Sequence, residues 1–536
     1  PKTPIPMVVR PLKVSAPDNT YNCPRQLASL VMAIPKVCGI ETEYGITHRG
    51  VPEPNPIDAS SLLIRAYLAA GTEASGLAPD VAWDFSDESP FADARGATPQ
   101  GALAPPTETH LVNAVLTNGA RYYVDHAHPE ISTPECADAL SVVLYDRAAE
   151  LIAIESMAAA KRLLPDGQEL VVHKNNSDGK GNSYGCHENY LLDRHTPFDH
   201  VVHHATAHFI SRQIYTGSGK VGSEMFGQEA RDVPFQLTQR ADFFEERVGL
   251  ETTLKRPIIN TRDEPHADAR KYRRLHVIVG DANMSQVATF LKVGVTNIVL
   301  AMIEDDYLDN GWDFVDPVRA LQSVSTDLSL QRPLELSDGS RITALDIQWQ
   351  LFASAQRYIS ERGAADVGGD VAVQILDRWE SVLARLENDP MQLADQIDWV
   401  AKYRLLDGYA TRHDVGWEDP RLAAMALQFH DLRPERSIFN KLGMETLVDE
   451  GAARQAAHHP PEDTRAYFRG ECLRRWPDNV VSANWDSLVF DIDGVTLRRV
   501  PMNEPLRGTR AHVGTLLDEC ETADDLLARL DSAGNS

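Results

Sequence analysis

The hydrophobic periodicity of this chain changes twice along its length, and these changes constrain the fold more than any other feature of the sequence. Residues 168–300 alternate short β-rich runs with glycine-rich and charged turns, which is typical of a curved, mostly antiparallel sheet with few crossover helices. Later, apolar residues recur every three or four positions and predict helices over 342–361, 371–387 and 391–407. Near residue 470 the pattern changes again. We therefore predict an α+β fold in which a curved sheet packs on helices and a small α+β domain follows.

The sequence divides into three predicted segments. Residues 1–36 contain many prolines and no sustained period, which indicates a flexible extension. Residues 37–468 form the predicted large domain, and residues 469–536 form the small C-terminal domain. Inside the large domain, a helix predicted at 60–70 is followed by a polar segment over about 71–106. A loop of that length within a compact domain is usually functional or disordered.

Composition argues against several classes of partner. The chain has 536 residues, a net charge of −26 and a pI near 5.1, which disfavours a general affinity for nucleic acid or for an anionic membrane. Its six cysteines lack CxxC spacing, so we expect neither a disulfide framework nor a zinc site, and a cytoplasmic location is the simpler one. The proline-rich start does not resemble a secretory signal. The longest apolar stretches, such as residues 298–303, are too short to span a bilayer.

Two carboxylates lie two residues apart in the strand-like segment 39–45. Strand side chains alternate between faces, so Glu41 and Glu43 project to one side while their neighbours project to the other. Adjacent carboxylates repel each other and need bulk water or a shared cation. Hard oxygen ligands of this kind suit Mg²⁺ that also binds nucleotide phosphates. Taken alone, the pair fits an ordinary amphipathic strand with a solvated polar face slightly better.

A second polar cluster begins at residue 121. On strand geometry Arg121, Tyr123 and Asp125 share one face, which places a cation, a phenol and a carboxylate in a row. This row suits an arginine that binds phosphate beside an aspartate that acts as base or nucleophile. Glu130, across a proline turn, would be a further metal ligand. A strand with a polar face and a histidine-rich turn explains the same residues about equally well.

Two glycine-rich segments call for different interpretations. Residues 175–190 end in a strand that places His187 and Asn189 on a common face, close to backbone that glycine allows to approach a ligand. An Asn/Gly hairpin explains the first half of this segment but not the His-x-Asn pair. Residues 217–222 fit GxGxxG by letter, yet no helical pattern follows and Lys220 precedes valine. We expect a mobile glycine hairpin there, and not a Rossmann or Walker loop.

Basic residues are dense between positions 240 and 276 of this otherwise acidic chain. Arg240, Arg262 and His276 belong to this group. The contrast in charge suggests an anion site for nucleotide phosphates and for a substrate carboxylate or acidic peptide. A solvated surface of mixed charge is the competing explanation.

The paired glutamates, the turn after Asp125 and the His-x-Asn strand together resemble the glutamine-synthetase-like carboxylate-amine ligases. Within that superfamily the chain is similar to the family of the Pup ligase and the Pup deamidase/depupylase, over about residues 37–530. Long strings at 117–130, 252–268 and 484–487 carry this similarity. The resemblance implies a curved sheet that holds Mg²⁺ and ATP, or ADP plus phosphate, as a cofactor that is not consumed.

The resemblance also implies roles for the residues at matching positions. Asp125 matches the catalytic aspartate, acting either through a covalent anhydride or through an activated water. The implied metal site comprises Glu41, Glu43, Tyr123 and Glu130. The implied nucleotide contacts are Arg121, Thr133, His187, Asn189 and Trp485. The implied contacts to phosphate and to the C-terminus of Pup are Arg240, Arg262 and His276.

The two enzymes of this family work in opposite directions. The segment 83–96 resembles an insertion that marks the hydrolase, and the turn at 126–130 resembles the hydrolase form. We therefore expect hydrolysis of the C-terminal glutamine amide of Pup and of the Pup–lysine isopeptide bond, with Pup and pupylated proteins as partners. The first alternative is the ligase, which forms that bond with ATP. Two others are a carboxylate-amine ligase for a small metabolite and a catalytically idle Pup-binding regulator.

Overall fold

Most strands of the described chain lie before residue 278 or after residue 479, and residues 344–475 between them are mainly helical. The structure, a computed structural model, describes residues 33–75, 81–86, 88–96, 111–225, 232–309, 311–492 and 494–534. Within them the strands are β1 (Cys38–Glu43), β2 (Gly45–Arg49), β3 (Ala82–Trp83), β4 (Asn113–Val115), β5 (Arg121–Asp125), β6 (His128–Ser132), β7 (Glu169–His173), β8 (Cys186–Asp193), β9 (Lys220–Val221), β10 (Phe235–Gln236), β11 (Phe244–Gly249), β12 (Arg256–Asn260), β13 (Tyr272–Val277), β14 (Leu334–Glu335), β15 (Arg341–Ile342), β16 (Val480–Ala483), β17 (Ser487–Asp491) and β18 (Leu497–Pro501). The helices are α1 (Pro56–Ser75), α2 (Ala139–Leu163), α3 (Phe198–Ser211), α4 (Gln213–Thr216), α5 (Gln286–Glu304), α6 (Pro317–Ser325), α7 (Ala344–Arg362), α8 (Asp370–Asn388), α9 (Asp398–His413), α10 (Pro420–Phe429), α11 (Phe439–Leu442), α12 (Glu450–Ala456), α13 (Ala466–Arg475), α14 (Arg510–Glu519) and α15 (Ala523–Gly534).

One ten-stranded sheet organises the described chain. Its order is β13-β8-β1-β6-β5-β4-β3-β16-β17-β18, and every neighbouring pair is antiparallel except β3 with β16. The predicted α+β class with a mostly antiparallel sheet is confirmed. Because β1 lies between β6 and β8, the paired glutamates are central in the half of the sheet built from residues 38–277.

The two faces of this sheet differ in polarity because side chains alternate along each strand. On β1, Ile40 and Thr42 are buried whereas Glu41 and Glu43 are partly accessible. Helices α1, α2 and α5 pack against the strands of the sheet, and α3, α7 and α8 pack against α5 or against one another. Tyr122, Ile131 and Cys186 belong with Ile40 to the resulting core. The opposite face is left to the charged side chains.

The helical content of residues 168–300 is higher than the sequence pattern predicted. The range contains α3 and the long α5, whose N-terminus is capped by Ser285 accepting from the Ala288 amide. Helix α5 is buried on all sides and its few polar side chains, such as Lys292 and Asn297, are buried too, so it lacks the solvated polar stripe by which a surface helix is recognised. By length and composition α5 could cross a membrane, but 94% of the qualifying window is buried inside the protein, as in a core helix.

The polar segment after α1 also contributes regular structure. Residues 71–75, predicted as loop, continue helix α1. Strand β3 pairs with β4 on one side and with β16 on the other. It thereby connects the strands that carry the glutamates with the C-terminal strands. Trp83 is 5% exposed and packs in a second hydrophobic cluster with Phe468, Leu488 and Phe490. Residues 76–80, 87 and 97–106 of the predicted loop, and residues 1–32 of the predicted extension, lie outside the described residues.

The glycine segment at 217–222 is not a mobile surface hairpin. Ser218 is fully buried and its hydroxyl and backbone amide both donate to Asp281. Lys402, also buried, donates to the carbonyl oxygens of Ser218 and Gly219, the latter at 2.8 Å. The glycines allow close packing against helix α9, since a Cβ on Gly219 would lie 3.1 Å from the Cα of Trp399.

Candidate functional site

The strand register brings the predicted polar residues onto one face of the sheet. Directly opposite residues in antiparallel strands share a face, as do residues two apart on one strand. Glu43 of β1 lies opposite Glu130 of β6, which lies opposite Tyr123 of β5. One step along, Glu41 lies opposite His187 of β8. A further pair completes the site on the outer strands, where Asn189 lies opposite His276 of β13.

Side chains on this face form two groups that could each hold a metal ion. Within each group, the ligand atoms all lie within 4.8 Å of one another. One group contains Glu41, His187 and His276, and the other contains Glu43, Asp125 and Glu130. Because His187 lies 3.7 Å from Glu41 and 3.8 Å from Glu43, the two groups are adjacent. The donor types, oxygen with some nitrogen, suit a divalent cation. The predicted metal ligands are therefore divided between two neighbouring positions, and Tyr123 borders the second.

The second group carries an excess of negative charge. Glu130 is 2% exposed, and burial together with the charges of Asp125, Glu43 and Glu41 raises the pKa of its carboxyl well above the ordinary value. Burial and Glu130 likewise raise the pKa of Tyr123, so the phenol stays neutral and can donate to Glu130. A buried carboxylate with like charges around it requires a proton or a cation. This group therefore fits a bound metal ion.

The first group is balanced by positive charge and by an amide. Asn189 donates to Glu41 at 2.7 Å, and its carbonyl oxygen accepts from Arg274 at 2.7 Å and contacts Nδ1 of His276 at 3.0 Å. Burial favours the neutral acid at Glu41, but His187, 3.7 Å away, and the positive charge of Arg274 outweigh it and lower the pKa of Glu41. Asn189 thus orients two members of this group.

Arg121 lies between two aromatic rings at the edge of the site. Its guanidinium carbon is 3.9 Å from the ring centroid of Trp83 and 4.0 Å from that of Tyr123. Its Nε donates to Asn113 at 2.9 Å, and Glu88 lies 4.0 Å away. A guanidinium held flat in this way presents its remaining N–H groups to one direction, which suits phosphate.

Asp125 lies at the end of β5, where the sheet opens to solvent. Its carboxylate contacts Nδ1 of His126 at 2.8 Å. Burial opposes ionisation, but the hydrogen bond and charge of His126, with His187 and Arg121, outweigh it and lower the pKa of Asp125. Asp125 is therefore ionised at neutral pH, as a nucleophile or general base requires.

Two cavities meet at the polar face. One, of about 90 Å³, is lined by β1, Thr133, His266, Arg465 and Trp485. The other, of about 440 Å³, is lined by residues that include Glu41, Arg121, Tyr123, Asp125, His126, Arg262 and Glu264. Trp485 lines both cavities and packs edge-on against Trp83 with ring centroids 5.3 Å apart. Thr133 lines the smaller cavity, and its hydroxyl accepts from the Ile40 amide at 3.1 Å.

The predicted anion contacts lie in three different places. His276 is in the first metal group, whereas Arg262 lies at the mouth of the larger cavity, with its Nε 3.4 Å from the carbonyl oxygen of Pro90. Arg240 is 1% exposed and donates to the Tyr184 carbonyl and to Ser183. Its Nε has no hydrogen-bond partner among the described residues. Burial and the nearby Arg256 lower the pKa of Arg240 to about 10, so this buried cation would gain from an anion.

Four further residues contact the site although the sequence analysis assigned them no role. Arg274 contacts Glu41 and Asn189, and its place two residues before His276 on a strand could have identified it. Arg256 lies in the basic segment between residues 240 and 276. It donates to the Ser183 carbonyl at 3.0 Å, beside Arg240. Asn113 and Glu88 carried no such signal, since Asn113 reaches Arg121 only through the pairing of β4 with β5, and Glu88 only through the position of residues 88–96.

Comparisons with known proteins agree over most of the chain. The sequence model of a family described as Pup-ligase protein matches residues 36–489. A depupylase from Acidothermus cellulolyticus is 51% identical over 505 residues, covering 92% of this chain and 99% of that relative. A Pup deamidase/depupylase from Mycolicibacterium smegmatis is 45% identical over 506 residues, with 92% and 99% covered. A Pup–protein ligase from Actinosynnema mirum is 38% identical over 500 residues, with 90% and 99% covered.

Solved structures show the same fold. The complex between the prokaryotic ubiquitin-like protein Pup and its ligase PafA gives a TM-score of 0.75 at 29% identity, with 94% of this chain and 95% of that chain covered. The structure of the Pup ligase PafA with ADP gives a TM-score of 0.69 at 30% identity, with 80% of this chain and 99% of that chain covered.

Proposed function

The chain belongs to the Pup-ligase protein family, and on that basis we propose that it is a Pup deamidase and depupylase. It hydrolyses the side-chain amide of a C-terminal glutamine on Pup, and the isopeptide bond between Pup and a lysine of a target protein. The observation that carries this proposal is the near full-length identity of 51% and 45% to proteins with these activities, against 38% to a ligase. The position of Glu88 beside Arg121 supports it, because Glu88 belongs to the segment that resembles an insertion of the hydrolase.

The proposed nucleotide-binding site spans the two cavities. The PafA structure with ADP supports nucleotide binding in this fold. We place the base in the smaller cavity against Trp485, and the phosphates beside Arg121 in the larger one. Mg²⁺ would be held by the first group around Glu41 and by Glu43 with Glu130 of the second. When bound, it would neutralise these carboxylates and the phosphates and polarise an oxygen of the substrate.

The chain's own residues then carry the hydrolysis. Asp125 is ionised and open to the larger cavity, so it can attack the amide carbonyl or deprotonate a water. The buried Arg240, with Arg256 beside it, can bind a carboxylate of the Pup C-terminus.

The cysteines of the described residues are free thiols, and this supports a reducing, cytoplasmic location.

One pair of assays tests the proposed function. Purified protein is incubated with Pup that ends in glutamine, and separately with a pupylated protein, each with and without Mg-nucleotide. We expect ammonia from the first substrate and free Pup from the second, without stoichiometric loss of ATP. Release of neither product, together with ATP-dependent attachment of Pup to lysine, would identify a ligase.

Replacing Asp125 with asparagine tests its assigned role. Asp125→Asn removes the nucleophile or base but keeps the shape, so hydrolysis should fall by about 100-fold or more. Nucleotide affinity, measured by calorimetry, should change little. Asp193→Asn is a matched control, because Asp193 also contacts a neighbouring histidine, His195, at 2.9 Å but does not line the two cavities. Full activity of Asp125→Asn would remove Asp125 from the mechanism.

A further inference from the structure

We propose that a groove along helix α9 is the docking site for an amphipathic helix of a partner protein that carries acidic side chains. The inference goes beyond the proposed hydrolase function and does not rest on it. The groove has a volume of about 710 Å³ and lies between α9, α10, α11 and the chain just before α9. It shares no lining residue with the two cavities at the polar face.

Helix α9 has two faces, and one of them is fully used inside the protein. Trp399 and Leu406 are buried, and the indole nitrogen of Trp399 donates to the Ile214 carbonyl at 2.9 Å. The other face forms a single stripe along the helix, because its residues recur at steps of three and four. The residues of this stripe that line the groove are Arg404, Leu405, Gly408, Tyr409 and Arg412.

Gly408 keeps the groove open at its middle. It lies well inside α9, where alanine would favour the helix more than glycine does. A Cβ at Gly408 would meet nothing within 4 Å among the described residues, so packing inside this part of the protein does not require glycine there. The missing side chain instead lets the side chain of a second helix approach the backbone of α9 closely.

The apolar walls of the groove are adaptable. Met391 lines it from the turn before α9, and Met425 lines it from α10. Methionine is unbranched and flexible, so surfaces rich in it can fit the side chains of a partner. Leu442 of α11 is 37% exposed at the same groove. The apolar stripe of an amphipathic helix would remove these side chains from water.

The charge of the groove indicates the charge of the partner. The chain has a net charge of −26, yet Arg404 and Arg412 line the groove against one acidic lining residue, Asp395. Neither arginine forms an ion pair with another residue in the described ranges. They are eight residues apart on one helix, which corresponds to about 12 Å. Two glutamates seven or eight residues apart on a partner helix would match that spacing.

The first 32 residues of this chain do not fit the groove by charge. They contain four basic residues and one acidic residue, Asp18, so the two arginines would repel them. A second copy of the chain is the other occupant that the experiments below must distinguish.

Selection from a peptide library tests the chemistry of the groove. The library displays helices of about 18 residues with Leu, Met or Phe at steps of three and four, and with Glu, Lys or Gln at two flanking positions seven apart. Selection against the full-length protein should enrich glutamate at both flanking positions. No enrichment, or enrichment of lysine, would overturn the proposal.

Binding of the best selected peptide is then measured by fluorescence anisotropy. Its affinity for Gly408→Leu should fall by about 10-fold or more, and the double variant Arg404→Glu/Arg412→Glu should prefer the peptide in which lysine replaces glutamate. Gly71→Leu in α1 is the matched control, because a Cβ there also meets nothing within 4 Å, and it should bind like wild type. Equal binding of the glutamate and lysine peptides to wild type would overturn the proposal.

Hydrolase activity reports whether these variants are folded. None of the changed residues lines the cavities at the polar face, so each variant should release ammonia from Pup ending in glutamine at the wild-type rate. If wild-type protein releases no ammonia, the proposed function fails, while the peptide result still decides the role of the groove.

Photo-crosslinking identifies the natural occupant. Benzoylphenylalanine replaces Met425 in one full-length protein and Ala423 in another, since Ala423 is exposed on the same helix but does not line the groove. Both proteins are irradiated in a lysate of the source cells, and the attached peptides are sequenced by mass spectrometry. We expect an acidic amphipathic segment of another protein at position 425 and not at position 423. Attachment to residues 1–32, attachment to a second copy, or no attachment would overturn the proposed partner.

Discussion

Replacing Glu130 with glutamine should stabilise the protein in the absence of divalent cations and should greatly reduce the extra stability that Mg-nucleotide confers. The carboxylate of Glu130 has those of Glu43 and Asp125 within 4.8 Å. At that separation and an effective dielectric constant of about 20, each pair of like charges costs roughly 3.5 kcal/mol. Proton uptake and small movements relieve much of this cost. We therefore expect the free energy of unfolding of Glu130→Gln to rise by about 1–3 kcal/mol without metal.

The matched control is the other buried glutamate of the same sheet. Glu188 on β8 is fully buried but accepts from Arg212 at 2.6 and 2.8 Å and from Tyr190 at 2.6 Å. Glu188→Gln leaves the buried Arg212 without its counter-charge, so it should lower the free energy of unfolding by about 3–5 kcal/mol. The same isosteric change is thus expected to have opposite signs at two buried sites of one sheet.

Urea unfolding followed by tryptophan fluorescence measures both effects, first with EDTA and then with Mg²⁺ and ADP. Wild-type protein should gain stability from Mg-ADP because the ligand binds only the folded state. Glu130→Gln should gain much less, since it has lost a metal ligand. If Glu130→Gln is less stable than wild type in EDTA, Glu130 is an ordinary structural residue and the electrostatic account of this site is wrong.

Three further predictions concern other parts of the molecule. Trp83→Ala should destabilise the C-terminal strands by about 3–5 kcal/mol, because Trp83 fills the second hydrophobic cluster, and limited proteolysis should show it. Trp485→Ala should weaken nucleotide binding by about 10- to 100-fold in calorimetry, through loss of one wall of the smaller cavity. Burial lowers the pKa of His173 to about 4, although the charge of Asp431 opposes this shift. Between pH 4 and 6.5 the imidazole is therefore neutral in the folded protein, whereas in the unfolded chain it binds a proton. Its contribution to stability is therefore complete above pH 6.5 and declines by about 1.4 kcal/mol per unit as pH falls toward 4, and His173→Gln should flatten this decline in urea titrations.

The order of strands and helices could be read from the sequence where one face of an element is solvated. The alternation in β1 and β5, and the periods of α7 and α8, gave their positions to within a few residues. Helix α5 was missed because burial on all sides removes the polar stripe that marks an amphipathic helix. Strand β3 was missed because two residues are too few to show a period, and only its pairing with β4 and β16 defines it.

The sequence by itself determined the chemistry available to this protein. Alternation along single strands placed Glu41 with Glu43, and Arg121 with Tyr123 and Asp125, and the family resemblance gave these side chains their expected roles. Only the tertiary structure decided how they are grouped. The strand register separates the two glutamates into different clusters, one with His187 and His276 and the other with Asp125 and Glu130. The register of β1 with β6 and β8 depends on contacts between segments distant in sequence, so the alternation within β1 alone does not encode it.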